Sequence, residues 1–399
     1  MSKLAIDGGK PVRETPIGYG RQFIDDDDIS AVVKVLKSPF LTTGPEIKKL
    51  EDKLCRITRA KYAVVVSNGT AALHIACMAA GVKDGDEVIT TPMTFAASAN
   101  CALYCGAKPV FADINPETYN ISPSSIREKR TPNTKAVVAV DFTGQAVELD
   151  EILEICRENN LTLIEDAAHS MGTKYKGKPV GSIADMTCFS FHPVKTVTAG
   201  EGGAVTTNSK ELYDKLCLFR SHAITRDESM MVNPTGEKWY YEQVDLGYNY
   251  RMTDFQAALL SSQLDKLPMF SSRRKDIVKM YDDAFSKIPE VTVQKEIAES
   301  DTTRHIYILR FNLKMLKASR REIFDALWAE NIHCNVHYIP VYYHPYYQKL
   351  GYRKGLCPNA EALYEEIITL PLYYSMTDDD VRDVIEAVKK VIESDKFIK

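Results

Sequence analysis

The sequence predicts an α/β fold: a large domain with a mostly parallel sheet flanked by helices, followed by a smaller C-terminal α+β domain. Three observations predict it. Short Val/Ile-rich runs alternate with helix-like segments from about residue 60, and such alternation builds parallel sheets covered on both faces. After Asp254 the text turns helical and then mixed. At 399 residues the chain exceeds one hydrophobic core of ordinary size. The expected division is 1–265 for the large domain with its N-terminal segment and 266–399 for the small one.

Residues 1–22 read as irregular, punctuated by Gly8, Gly9, Pro11, Pro16, Gly18 and Gly20. Asp25 to Asp28 then precede ISAVVKVLKS. Acids in a first turn complement the helix dipole, so this run marks a helix start rather than a calcium site. Strand-like runs follow at Tyr62 to Val66, Glu87 to Thr90, Pro109 to Ala112, Ala136 to Val140, Leu161 to Ile164 and Thr187 to Phe191. Helix-like segments separate them at Thr70 to Ala80, Phe95 to Tyr104, Pro123 to Lys129 and Glu148 to Asn159. Beyond Asp254 come FQAALLSSQLDKL, a longer helical segment near 270–287, a strand-like HIYILRFNL, a helix near 319–330 and a last helix from Asp378 to Glu393.

Composition excludes several function classes. Hydrophobic residues make up 45% and charged residues 26%, the balance of a soluble globular protein. A net charge of -4 gives no reason to expect nucleic acid or an anionic membrane as partner. No apolar run approaches the roughly 20 residues that span a bilayer, and the N-terminus lacks the pattern of a secretory signal. The nine cysteines are an odd count in apolar contexts, which suits free thiols in a reducing cytoplasm. Cys101 and Cys105 stand four apart with no second Cys/His pair, so no metal site is expected.

The candidate chemistry lies between Leu163 and Gly203, in LIEDAAHS and FSFHPVKTVTAGEGG. Asp166 ends one apolar run and Lys195 follows another. In a parallel sheet both reach the crevice at the carboxyl ends of the strands. A lysine amine beside a buried carboxylate is what pyridoxal 5'-phosphate requires: the amine binds the cofactor aldehyde and the acid keeps the ring nitrogen protonated. Phe189, Phe191, Pro193 and Val194 make the approach to Lys195 apolar, which depresses a lysine pKa. A solvated surface lysine and a structural salt bridge are the bland alternatives. Lys174, Lys176 and Lys178 sit in a polar, hairpin-like stretch and are poorer candidates. His169 is placed to contact the ring. SNGTAALHIA supplies a helix N-terminus for the cofactor phosphate, with Gly69 and Thr70 opening it, and Ser190 aims a hydroxyl at the same place. Phe95 is placed to stack on the ring. Arg251, Lys178, His305 and the cluster Tyr342, Tyr343, His344, Tyr346, Tyr347 are candidates for holding a substrate diphosphate, or else packing residues.

Together these pieces resemble the DegT/DnrJ/EryC1/StrS family of sugar aminotransferases, a branch of the fold-type I pyridoxal phosphate enzymes. The likeness covers nearly the whole chain: FLTTGPEIKKLE, SNGTAALHIA, TPMTFAASAN, EDAAHSMGTKYKGKPVGSIAD, FSFHPVKTVTAGEGG, LGYNYRMTDFQAAL and ITLPLYYSMTDDDV stand in the family's order. The resemblance implies Lys195 on the cofactor aldehyde, Asp166 on the ring nitrogen and His169 near the ring oxygen. It puts Gly69, Thr70 and Ser190 on the phosphate and Phe95 against the ring. It also implies a homodimer in which Asn249 reaches the partner subunit's cofactor phosphate. IGYGRQFIDDDDI, LFRSHAITRD and NVHYIPVYYHPYYQKLGY point to the pseudaminic-acid branch. Its members move an amino group from L-glutamate to C4 of a UDP-linked 4-keto-6-deoxy-N-acetylhexosamine. The AIDGGKPVRET leader departs from that branch and puts the exact sugar in doubt, not the reaction class. Relatives that dehydrate sugars carry histidine in place of the lysine, so Lys195 disfavours that chemistry. No G-x-G-x-x-G follows an early strand, which disfavours a nicotinamide enzyme. A non-catalytic regulator or scaffold would be favoured by loss of Lys195 or Asp166, and both are present.

Overall fold

The computed structural model describes residues 3–398. Its first helix, α1 (Asp26–Leu36), begins where the aspartate run predicts. Asp25 caps it and forms a reciprocal capping box with Asp28. Lys266 pairs with both aspartates. The run is a helix start tied to Lys266, 241 residues on from Asp25.

A seven-stranded sheet forms the centre. After a short strand β1 (Ile17–Gly18), its members are β2 (Tyr62–Val66), β3 (Glu87–Thr90), β4 (Lys108–Phe111), β5 (Thr134–Val140) and β6 (Thr162–Asp166). A hairpin of β7 (Lys174–Tyr175) and β8 (Lys178–Pro179) leads to β9 (Met186–Ser190) and β10 (Gly203–Thr207). The order is β2-β10-β9-β6-β5-β3-β4. The β9–β6, β6–β5, β5–β3 and β3–β4 pairs are parallel, and β10 runs against both neighbours. Sequence reading missed β10, whose GAVTT is short and small-chained. It keeps its place through packing, with Ala204 and Val205 both fully buried.

Successive strand residues point to opposite faces, and both faces are apolar here. Ala63, Val65, Val137, Leu163 and Phe189 join one core, shared with Leu50, Leu54 and Ile152 from the helices over that face. Val64, Val66, Val138, Ile164 and Cys188 join the other, under α3 (Gly69–Ala79) and the helix Ala97–Tyr104. Helix coverage of both faces is why the strands read as continuous apolar runs.

A second, antiparallel sheet of Val291–Val293, Tyr307–Phe311 and Ile367–Leu370 packs beneath helices Arg320–Ala329 and Asp378–Ile392. Helix Leu267–Phe285 joins the two regions. Its Leu267 and Phe270 lie in the first core and its Ile277, Tyr281 and Phe285 in the second. The N-terminal segment, read from sequence as mere punctuation, is strapped onto this second region. Leu4 and Ile17 enter its core, and β1 pairs in parallel with Ile332–His333. Glu330, fully buried, accepts hydrogen bonds from the Ala5 and Val12 amides at 2.9 Å and from Lys390 Nζ at 2.8 Å.

Candidate active site

A cavity of about 950 Å³ opens at the carboxyl edge of the central sheet, where this class of fold places its ligands. Gly69, Thr70, Phe95, Asp166, His169, Ser190 and Lys195 all line it. Seven of the eight sequence-predicted site residues therefore meet in one place.

Asp166 is the last residue of β6, and alternation turns its side chain to the same face as Ile164, toward the helix Ala97–Tyr104. Its Oδ1 accepts the Ala168 amide at 3.2 Å and its Oδ2 accepts the Ser98 hydroxyl at 2.6 Å. Burial pushes this carboxyl up, while the two hydrogen bonds and the Lys195 charge pull it down. Lys195 sits in a compact loop. The Lys195 amide donates to His192 O at 2.9 Å, and the Ala199 amide closes the loop onto Phe191 O at 2.9 Å. Fully buried Phe191 anchors that loop in the first core. Burial lowers the Lys195 amine to about 8, against the opposing pull of Asp166. At neutral pH a sizeable fraction is then the free, nucleophilic amine.

Three imidazoles form one wall: His169, His305 and His337. His169 and His305 have ring centroids 4.5 Å apart, and His169 Nε2 lies 3.1 Å from the Tyr338 hydroxyl. Burial holds His169 and His305 well below the usual histidine range and His337 at about 4, with the Lys195 charge pushing the same way. All three are neutral at physiological pH. Neutral imidazoles do not compete with a protonated ring nitrogen for the Asp166 carboxylate.

The turn from β2 into the helix Gly69–Ala79 forms a candidate phosphate cradle. Asn68 Oδ1 accepts the Ala71 amide at 2.8 Å, which leaves the first helical amides, Gly69 and Thr70, directed out of the helix. A Cβ on Gly69 would sit 2.8 Å from Ser190 Cβ, and one on Gly203 would sit 2.4 Å from Asn68 O. These two glycines let β2, β9 and β10 bring their ends together. The arrangement fits pyridoxal phosphate on its own terms. The cradle offers backbone amides to an anion, Asp166 keeps lone pairs free, and His169 Nδ1 is buried with no partner.

Phe95 lines the cavity and is 64% exposed, its ring open to whatever occupies the crevice. Asn249 does not line the cavity. It is exposed on the strand-like turn between Tyr248 and Tyr250, both of which do. Of the diphosphate candidates, Lys178 is exposed on the hairpin and Arg251 lies outside the lining. Tyr342 and Tyr347 are buried in a separate core, where their hydroxyls donate to Glu361 and Asn100. Their spacing reflects packing. His305 lines the cavity but is buried against His169. Among the described lining residues Lys195 is the one lysine, and none is arginine.

Sequence reading gave no role to Ser98, Thr94, His337, Tyr338 or Tyr19, which also shape the cavity. Tyr19 arrives on the N-terminal strap, its ring 5.0 Å from that of His337. Ser98 and Thr94 lie within TPMTFAASAN, where ordinary helix-start residues look the same; only the fold reveals the contact of Ser98 with Asp166 and of Thr94 with Ser98.

Comparison with known proteins agrees with this geometry. The model of the DegT/DnrJ/EryC1/StrS aminotransferase family matches residues 22–389. Spore coat polysaccharide biosynthesis protein SpsC of Bacillus subtilis is 42% identical over 376 residues, covering 94% of this chain and 96% of that protein. UDP-4-amino-4,6-dideoxy-N-acetyl-beta-L-altrosamine transaminase of Campylobacter jejuni is 38% identical over 384 residues, covering 95% and 98%. Among solved structures, Helicobacter pylori PseC, an aminotransferase involved in the biosynthesis of pseudoaminic acid, superposes with a TM-score of 0.87 at 31% identity, covering 95% and 100%.

Proposed function

The chain belongs to the DegT/DnrJ/EryC1/StrS aminotransferase family, and from that premise we propose that it aminates C4 of a UDP-linked 4-keto-6-deoxy-N-acetylhexosamine at the expense of L-glutamate. It is a pyridoxal-phosphate-dependent nucleotide-sugar aminotransferase. The observation that carries the reading is the meeting of the Lys195 amine and the Asp166 carboxylate in one buried crevice beside a helix N-terminus.

Pyridoxal phosphate, when bound, supplies an aldehyde carbon and an electron-accepting ring. Gly69, Thr70 and Ser190 hold its phosphate, Asp166 holds a proton at its ring nitrogen, His169 hydrogen-bonds its ring oxygen and Phe95 covers its face. Lys195 would be the base that takes the proton from the donor Cα. In the second half-reaction it returns a proton to C4 of the sugar. A pKa near 8 suits both directions, since one amine must accept and donate at the same pH. The two halves share one crevice, so kinetics are ping-pong.

The site is completed by a second copy of the chain. A donor carboxylate and a sugar diphosphate need cations, which the lining residues of this chain supply only through Lys195. Exposed Asn249, flanked by lining residues, is set to reach a partner's phosphate cradle. Nine free cysteines and the absence, among the described residues, of any helix long and apolar enough to cross a membrane support a cytoplasmic enzyme. The likeness to SpsC, at 42% identity, favours as second reading the same reaction on another nucleotide-linked keto sugar.

The test is turnover of purified protein with pyridoxal phosphate, L-glutamate and a panel of UDP-, dTDP- and GDP-linked 4-keto sugars, with products read by mass spectrometry. The UDP-linked 4-keto-6-deoxy-N-acetylhexosamine is expected to react fastest and Lys195→Ala not at all. Faster amination of another sugar transfers the assignment to the second reading. Normal turnover by Lys195→Ala removes both.

A further inference from the structure

We propose that Ser98, backed by Thr94, is a positioning residue that keeps Asp166 ionised for the cofactor's ring nitrogen. The inference deepens the reading above and rests on its assignment of Asp166.

Ser98 and Thr94 are 1% and 4% exposed. The Ser98 hydroxyl lies 2.6 Å from Asp166 Oδ2, within the range of a charge-assisted hydrogen bond, and 2.7 Å from the Thr94 hydroxyl. Proton counting fixes the directions. An ionised carboxylate only accepts, so the single Ser98 proton points at Asp166. Ser98 Oγ must then accept, and Thr94 donates to it. The two hydroxyls form a relay whose polarity is matched to the charged form of Asp166.

That form needs support. Lys195 favours the charge across the crevice. Glu165 is the adjoining residue of β6, and Asp141 adjoins the end of β5, which pairs with β6. Cys188 is the register partner of Asp166 on β9, and Tyr338 faces it from the far wall. None of these four donates a hydrogen bond to the Asp166 carboxylate; the Asp141 amide donates to its backbone carbonyl instead. Two donors do, Ser98 and the Ala168 amide, and Ser98 is the one that a substitution can remove. Losing a hydrogen bond to a charged acceptor corresponds to about a tenfold to hundredfold change, or about one to two pH units.

The experiment measures the dissociation constant of pyridoxal phosphate from cofactor-free protein across pH 5–9, by fluorescence quenching. In the parent, affinity falls as acid neutralises Asp166. In Ser98→Ala that fall should move about one to two units higher, with about tenfold weaker binding at neutral pH. Ser98→Thr should restore both values, and Thr94→Val should move the midpoint the same way by less. Should Ser98→Ala fail to fold, Thr94→Val and Ser98→Cys carry the same test. Equal weakening at every pH with an unmoved midpoint would show a structural role and overturn the proposal. Asp166→Asn separates the two levels. A parent-like profile in that variant removes the assignment of Asp166 itself. A flattened profile there beside an unmoved Ser98→Ala midpoint removes only the role of Ser98.

Discussion

The Lys195 amine is the group whose behaviour the structure specifies most directly, and pH is the perturbation that reads it. Burial, against the opposing pull of Asp166, takes its pKa from 10.5 to about 8, a net penalty on the ammonium of about 3 kcal/mol. At pH 7.5 about a quarter of Lys195 is then free amine, against about a thousandth for an ordinary lysine. The assay follows the rate at which cofactor-free protein captures pyridoxal phosphate, by stopped-flow absorbance from pH 6 to 10.5. Nα-acetyl-lysine run in parallel corrects for the aldehyde's own titration, and Lys195→Ala corrects for other lysines. The rate should rise through a midpoint near 8 and level off above about 9. Because the Asp166 charge raises the amine's pKa, Asp166→Asn should lower the midpoint further. Linkage gives an independent check. The folded state sheds this proton before the unfolded chain does, so the contribution to stability rises between about pH 8 and 10.5. Lys195→Met should remove that slope. A capture midpoint near 10, or an upward move in Asp166→Asn, would refute the argument that burial sets this amine.

Four other outcomes follow from the packing and electrostatics. Glu330→Ala strips a buried carboxylate from two amides and Lys390; unfolding should show a loss of about 3–5 kcal/mol, and hydrogen exchange should speed up across residues 5–12. Gly69→Ala drives a methyl into Ser190 and should weaken pyridoxal phosphate binding by at least about tenfold while leaving far-ultraviolet circular dichroism unchanged. Leu50→Ala, in a fully buried position of the first core, should cost about 2–5 kcal/mol in urea unfolding. Burial raises Glu165 to about 7; the folded state then holds a proton that the unfolded chain has lost, so this group's contribution falls as pH rises from about 4.5 to 7. Glu165→Gln should flatten the stability profile over that window.

Much of this was legible in the sequence for physical reasons that can be named. Parallel strands buried on both faces must be apolar throughout, so β2, β3, β5 and β6 were visible as Val/Ile runs. Helix starts announce themselves through side chains that satisfy free amides, as Asp25 and Asn68 do. Lys195 and Asp166 stood out because a charged group at the end of an apolar run must have a partner. What escaped detection depends on long-range contact. His337 reaches the crevice from more than 100 residues beyond Lys195, with nothing local to mark it. Ser98 is one small residue on a helix until the fold sets it against Asp166. β10 carries too little apolar bulk to signal a strand, and it is held by neighbours on both sides. The N-terminal strap shows no periodicity because, beyond a single turn at Ala5–Asp7, its bonds go to Glu330, Asn331 and Ile332.

That strap bears on how the protein is made. Ala5, Val12 and Ile17 are made more than 300 residues before their partners, Glu330 and Asn331. Strands β2 to β10 and their helices can collapse during synthesis, since their contacts close within the residues already made. The strap must wait until residues 330–332 have emerged. Only then can it bring Tyr19 to the crevice. Completion of the active-site wall is thereby coupled to synthesis of that distant segment, and a chain truncated before residue 330 would display the lysine and the carboxylate without the tyrosine that borders them.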